Sequence, residues 1–226
     1  IRKVTKNIIS VPGKSFRTLT PFINACSLCG LCGVVCPTDL DMSAVNGPAR
    51  RIMCDQGLMP PAIHHFALED MRHSNSDSSA FARNQPGFDK SAHLFFPGCQ
   101  LAASLPHKVI AAYDLLTTRL PGGVGVMTGC CGAPALWSGR QALHEQTIVD
   151  VERRWKAMGE PRLILACPTC ELALQQGLPQ AQTVSLWQVL DEMEPPARPA
   201  LGHGEPLALH DSCTARTNRA AQDAAR

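Results

Sequence analysis

The 226-residue chain has the composition of a globular protein, with 45% hydrophobic and 18% charged residues, so it buries a core and is not disordered. A net charge of +2 without a basic block argues against nucleic acid as a partner. The sequence contains no run of 18 apolar residues that could span a bilayer, and its N-terminus does not resemble a secretory signal peptide. We therefore expect a cytoplasmic protein that reaches a membrane only through a partner.

The N-terminal third of the sequence predicts a small, mostly helical domain over residues 22–73. An irregular lead-in over residues 1–21 precedes it, and the ends at Ile1 and Arg226 suggest a piece of a longer protein. Helix formers over residues 42–56 end at Gly57, and a second helical stretch follows Pro60-Pro61. The polar segment 74–91 is predicted to be a linker.

The rest of the chain alternates short apolar runs with amphipathic stretches. This β-α-β-α-β pattern predicts a parallel sheet with crossover helices in a domain over residues 92–193. A Pro-rich segment, 194–206, is predicted to be a second linker. The overall expectation is an α+β protein in which an α/β domain follows a helical one. The predicted strands are 93–96, 124–127, 162–166 and 207–210.

Eleven cysteines, an odd number in ordered groups, favour metal binding over disulfides. The run Cys26-x2-Cys29-x2-Cys32-x3-Cys36-Pro37 is the spacing of bacterial ferredoxins and predicts a [4Fe-4S] cubane. In two-cluster ferredoxins the cysteine before Pro serves the other cluster. Either a partner motif lay upstream of Ile1, or Cys36 or Cys54 completes a single cluster. A zinc ribbon is the alternative.

A second group of cysteines follows the ends of the predicted strands. The carboxyl ends of parallel strands share one edge of a sheet, where open α/β folds bind ligands. The alternatives are inert core thiols, a zinc site, and an iron–sulfur cluster with a fifth thiolate; zinc sites normally close with four ligands. Glycines 98, 129 and 132 allow close approach of the backbone. The five cysteines are Cys99, Cys130, Cys131, Cys167 and Cys170.

The string Cys99-x30-Cys130-Cys131-Gly132-x34-Cys167-x2-Cys170 resembles the cysteine-rich CCG domain of heterodisulfide reductases and of the iron–sulfur subunits of glycolate oxidase and anaerobic glycerol-3-phosphate dehydrogenase. The resemblance implies that these five cysteines hold a non-cubane [4Fe-4S] cluster. Residues 207–226, with His210-Asp211-Ser212-Cys213, resemble the start of a second CCG repeat. Cys213 is its one metal-ligand candidate and cannot make a second site alone.

These observations predict the iron–sulfur subunit of an oxidoreductase. The ferredoxin-like domain would relay electrons to the CCG cluster, which would perform thiol–disulfide chemistry like that of a heterodisulfide reductase. His210 is a candidate proton donor beside the cluster; His64, His65 and His144 are interpreted as ordinary core or surface residues. The expected partners are a flavoprotein, other iron–sulfur subunits, and a thiol or disulfide substrate or an electron carrier.

Two alternatives remain open at this point. The chain could be a pure electron conduit between a flavoprotein dehydrogenase, acting on a 2-hydroxy acid, glycerol phosphate or NAD(P)H, and a quinone or carrier. FAD is expected only in a partner or in a missing upstream domain. The other alternative is a zinc-stabilised interaction module.

Overall fold

The computed structural model describes residues 14–193, 208–216 and 218–226. Contacts divide the chain into two compact units. The first comprises Ile1–His73 with Gly132–Thr147, and the second comprises Ser74–Cys131 with Ile148–Arg226. The domain boundaries drawn from the sequence remain a prediction.

The elements of the described residues follow in chain order. They are α1 (Lys14–Ala25), α2 (Leu31–Val35), α3 (Met42–Asp55), α4 (His65–Ser74), β1 (Ala82–Arg83), β2 (His93–Phe96), α5 (Cys99–Ser104), α6 (Pro106–Arg119), β3 (Val124–Met127), α7 (Ala133–Trp137), α8 (Gln141–Ala157), β4 (Arg162–Leu165), α9 (Pro168–Gly177), β5 (Thr183–Ser185), α10 (Leu186–Glu192), a 3-10 turn (Cys213–Ala215) and α11 (Arg219–Ala224).

The first unit is helical. Helix α3 begins where Asp41 accepts a hydrogen bond from the Ser43 N–H at 2.8 Å, as an N-cap should. Its buried face packs against α1 through Ile23, Ala49 and Met53. The helix predicted over residues 42–56 is confirmed over Met42–Asp55, because capping and apolar spacing agree there and outweigh Gly47 and Pro48 in its interior.

The second unit is built on a five-stranded sheet in the order β1-β3-β2-β4-β5. Strands β2 to β5 are parallel, and β1 pairs antiparallel with β3. Helices α6, α9 and α10 pack on the sheet. The core contains Phe95 of β2, Leu116 of α6 and Ile164 of β4, all fully buried. The three strands predicted over 93–96, 124–127 and 162–166 are confirmed to within one residue.

The predicted strand over residues 207–210 is wrong. Residues 208–210 have no regular structure and are exposed, while Leu207 lies outside the described residues. The strand that extends the sheet is β5, which pairs with β4. Segment 74–91, expected to be a linker, contains β1, and the second linker, 194–206, lies outside the described residues.

No helix in the described part of the chain is both long enough and apolar enough to cross a membrane.

Candidate metal centres

The sheet order places the loops of the second cysteine group at one edge of the sheet. The chain leaves β2 toward β3 on one side, whereas it leaves β4 toward β5 on the other. The carboxyl ends of β2 and β4 therefore form a topological switch point, where open α/β sheets bind their ligands. Cys99 lies beyond the end of β2, and Cys167 lies beyond the end of β4.

Three thiols of this group meet at that edge. The side chain of Cys170 forms hydrogen bonds with those of Cys131 and Cys167. The residue before Cys99 lies against them, because a Cβ placed on Gly98 would be 3.1 Å from the Cys170 sulfur. Gly98 has φ +78°, so this close approach also uses a conformation that favours glycine.

The shared hydrogen bonds favour a thiolate within the group. Hydrogen bonds to Cys131 and Cys167, together with burial, raise the pKa of Cys170. The hydrogen bond with Cys170 lowers the pKa of Cys167 to about 6. Metal ions bind cysteine as the thiolate, so a site in which one thiol already ionises near neutral pH suits a soft metal.

Burial gives the site a closed side and an open side. Cys130, Cys131 and Cys170 are at most 2% exposed. Cys99 and Cys167 are only half-buried. A molecule approaching from solvent would therefore meet Cys99 and Cys167 first.

The loop of Cys130 is held by two side chains that the sequence did not single out. Asn75 accepts a hydrogen bond from the Cys130 N–H at 2.8 Å and donates one to the Cys130 carbonyl at 3.4 Å. Arg154 donates to the carbonyl of Thr128 at 2.9 Å. Gly129, with φ +135°, allows this approach, since a Cβ there would be 2.9 Å from the Asn75 oxygen. Asn75 lies in the segment predicted to be a linker, where asparagine is an ordinary residue and gives no signal.

Gly132, which follows Cys131, belongs to the first unit. Its carbonyl lies 3.2 Å from the Nδ1 atom of His144, and that histidine is buried. His144 therefore fixes the loop rather than facing solvent.

The C-terminal residues contact the first turn of α9, which contains Cys170. The hydroxyl of Thr214 lies 3.0 Å from that of Thr169. Cys213 is exposed at the start of the adjacent 3-10 turn, and His210 is exposed. Asn218 adds a second tie, because it donates to the Glu171 carboxylate at 2.8 Å.

The ferredoxin-type run folds into a loop and one short helix, α2, in the first unit. Gly30 precedes α2 in the left-handed region with φ 70°. Two backbone amides donate to its sulfurs: Leu28 N–H to Cys26 at 3.4 Å and Met42 N–H to Cys32 at 3.1 Å. Amide–sulfur hydrogen bonds of this kind are one of the means by which proteins tune iron–sulfur clusters. The four half-buried cysteines are Cys26, Cys29, Cys32 and Cys36.

The thiol of Cys36 lies in a different surrounding. Its sulfur is 3.2 Å from the Thr38 hydroxyl, and this hydrogen bond lowers the pKa of Cys36. The Cys32 sulfur, in contrast, lies 3.6 Å from an Asp41 carboxylate oxygen.

Cys54 projects from α3, and its thiol lies 3.3 Å from the carbonyl of Ser138. Burial raises the pKa of Cys54. These surroundings suit a structural thiol. His64 pairs with Asn24 at 3.0 Å, whereas His65 is exposed.

The donor chemistry suits iron, but the thiols are not gathered to metal-binding distances. Among the described residues, no three His, Cys, Asp or Glu side chains are placed so that they could hold a metal ion. Both groups nonetheless supply soft thiolate donors, the ligands that iron–sulfur clusters and zinc take. Binding a cluster would require these side chains to move inward.

Comparison with known proteins identifies one of the two cysteine groups. Residues 93–175 match the family model of the CCG cysteine-rich domain, which covers less than half of the chain. The match contains Cys99, Cys130, Cys131, Cys167 and Cys170. Searches of curated proteins and of solved structures found no significant match. Residues 93–175 are thus similar to a CCG cysteine-rich domain, and this similarity suggests an iron–sulfur, redox-type function.

Proposed function

We propose that this chain is the iron–sulfur subunit of an oxidoreductase whose CCG site reduces or forms a disulfide. The observation that carries the proposal is the meeting of Cys131, Cys167 and Cys170 at the carboxyl edge of a parallel sheet. With Cys99 and Cys130 they give five thiols, one more than a closed zinc site uses.

The cysteines of this site would have different roles, according to their burial. A [4Fe-4S] cluster bound there would supply one-electron steps and an iron atom for a substrate sulfur. Buried Cys130, Cys131 and Cys170 would hold the inner side, while half-buried Cys99 and Cys167 would bound the side that a substrate reaches.

The reaction balances with an external electron donor. One disulfide, two electrons and two protons give two thiols, with the sulfur–sulfur bond broken. The electrons would come singly from a reduced flavoprotein or one-electron carrier, through the ferredoxin-type group of Cys26, Cys29, Cys32 and Cys36.

The disulfide chemistry is testable by paramagnetic resonance of the full-length protein purified without oxygen. Oxidation in the presence of a small thiol should produce a paramagnetic signal that oxidation alone does not. The signal should be lost in Cys131→Ala and kept in Cys54→Ser, which removes a thiol outside both groups. A protein that binds iron and sulfide but shows no thiol-dependent signal would contradict the disulfide chemistry and favour the electron conduit.

A further inference from the structure

Arg50 is a buried cation in the unit that contains the ferredoxin-type run. It projects from α3 and is 2% exposed. Its guanidinium donates to the carbonyl of Ile23 at 2.8 and 3.0 Å, to that of Trp137 at 2.8 Å, and to that of Cys26. Arg50 is therefore hydrogen-bonded to the backbone of Cys26, the first cysteine of the run.

The carbonyl acceptors take four hydrogen bonds from the five N–H groups of Arg50 but carry no full negative charge. Among the described residues, no carboxylate forms an ion pair with Arg50. Burial lowers the pKa of Arg50, and the charge of a Cys26 thiolate opposes that shift. A buried charge without a counter-charge is costly, so a negative charge at Cys26 would stabilise the buried guanidinium of Arg50.

A second guanidinium of the same unit, that of Arg140, has one nitrogen without a hydrogen bond among the described residues. This nitrogen, the Nη1 atom, is buried. Burial is the main cause of the lowered pKa of His64, and both Arg50 and Arg140 add to it. Two cationic side chains thus act on one interior region of this unit.

We infer that Arg50 is a positioning residue of the ferredoxin-type site, which fixes the Cys26 backbone and raises the reduction potential of the cluster bound there. This inference rests on the proposed function. A four-iron cluster with four thiolates is negatively charged, and reduction adds another negative charge. A buried positive charge therefore stabilises the reduced form more than the oxidised form.

A purely structural role is the competing explanation, because Arg50 also binds carbonyls at the ends of α1 and α7. Substitutions separate the two roles. Arg50→Lys keeps the charge and loses the planar fork, whereas Arg50→Met loses both. Arg51→Met removes the neighbouring exposed charge from the same helix and serves as the matched control.

The experiment is an anaerobic redox titration of the full-length protein, followed by the paramagnetic signal of the reduced cluster that Cys29→Ser abolishes. At the wild-type midpoint potential, Arg50→Met should lower the ratio of reduced to oxidised cluster about tenfold, about 59 mV for one electron. In Arg50→Lys this ratio should remain within about threefold of the wild type, because lysine keeps the positive charge. In Arg51→Met it should remain within about twofold, because solvent screens the exposed charge of Arg51.

If Arg50→Met does not fold, Arg140→Met serves in its place, because no carbonyl in the described ranges accepts a hydrogen bond from the Arg140 side chain. It should lower the ratio in the same direction, by about threefold. An unchanged potential in Arg140→Met, when Arg50→Met does not fold, would overturn the inference.

An Arg50→Met protein that binds its cluster with the wild-type potential would also overturn it, while leaving the proposed function intact. A wild-type protein without iron and sulfide would instead refute the proposed function and the inference with it. Iron and sulfide content, measured on every variant, distinguishes the two failures.

Discussion

Replacing Asn75 with alanine should loosen the CCG site without touching a cysteine. The substitution removes the acceptor of the Cys130 N–H at 2.8 Å and a weak donor at 3.4 Å. Cys130 is 1% exposed, so its N–H would remain unsatisfied, at a cost of about 1–3 kcal/mol. A loss of about 2 kcal/mol confined to this loop would lower the ratio of its ordered to its disordered form about 30-fold.

Two assays test this reasoning: urea unfolding of the metal-free protein, and iron per chain after anaerobic purification. The matched control is Asn84→Ala, since Asn84 also clamps a loop, accepting from Ser91 N–H at 3.0 Å and donating to Asp89 at 2.8 Å. The control should lose about 1 kcal/mol and keep its iron. Equal stability and equal iron content in the two variants would refute the role assigned to Asn75.

Two further predictions concern the first unit. Gly139→Ala places a Cβ 2.5 Å from the Arg50 carbonyl carbon at φ +84°, and should lower the free energy of unfolding by about 3 kcal/mol. Gly57→Ala, at φ +67° with no atom near the added Cβ, should lower the free energy of unfolding by about 1 kcal/mol. Equal losses for the two variants in urea titrations would contradict the close approach of Gly139 to the Arg50 backbone. Burial is the main cause of the lowered pKa of His64, so the unfolded chain binds the proton first as pH falls below the ordinary histidine pKa of about 6.5. Stability should therefore decline as the pH falls below about 6.5, and His64→Gln should flatten that decline; an unchanged slope would show that His64 does not contribute.

The parts of the fold that the sequence predicts are those in which several local signals agree. Strands β2, β3 and β4 are apolar runs bounded by Pro, Gly or Ser, and α3 has a capping aspartate and a terminal glycine. The two missed strands are too short to show a period: β1 has two residues and β5 has three. Residues 207–210 have the apolar composition of a strand, yet 208–210 do not join the sheet, whose edge is occupied by β5.

The part of the candidate site that the sequence could predict is the part that follows from the order of the strands. Strand ends predict that all five cysteines of the second group converge. The structure shows interactions among Cys131, Cys167 and Cys170, and the full set of five stays a prediction. The supports of the site come from residues distant in the chain. Asn75 binds Cys130 across 55 positions and Arg50 binds Trp137 across 87, so neither contact leaves a local pattern in the sequence.

The central claim, two thiolate-bound iron–sulfur sites in one chain, is tested most directly by metal and acid-labile sulfide per chain in the full-length protein purified without oxygen. Iron and sulfide are expected in equal amounts, with part of both lost in Cys131→Ala, part in Cys29→Ser, and none in Cys54→Ser. Zinc without sulfide in the wild-type protein would contradict the claim.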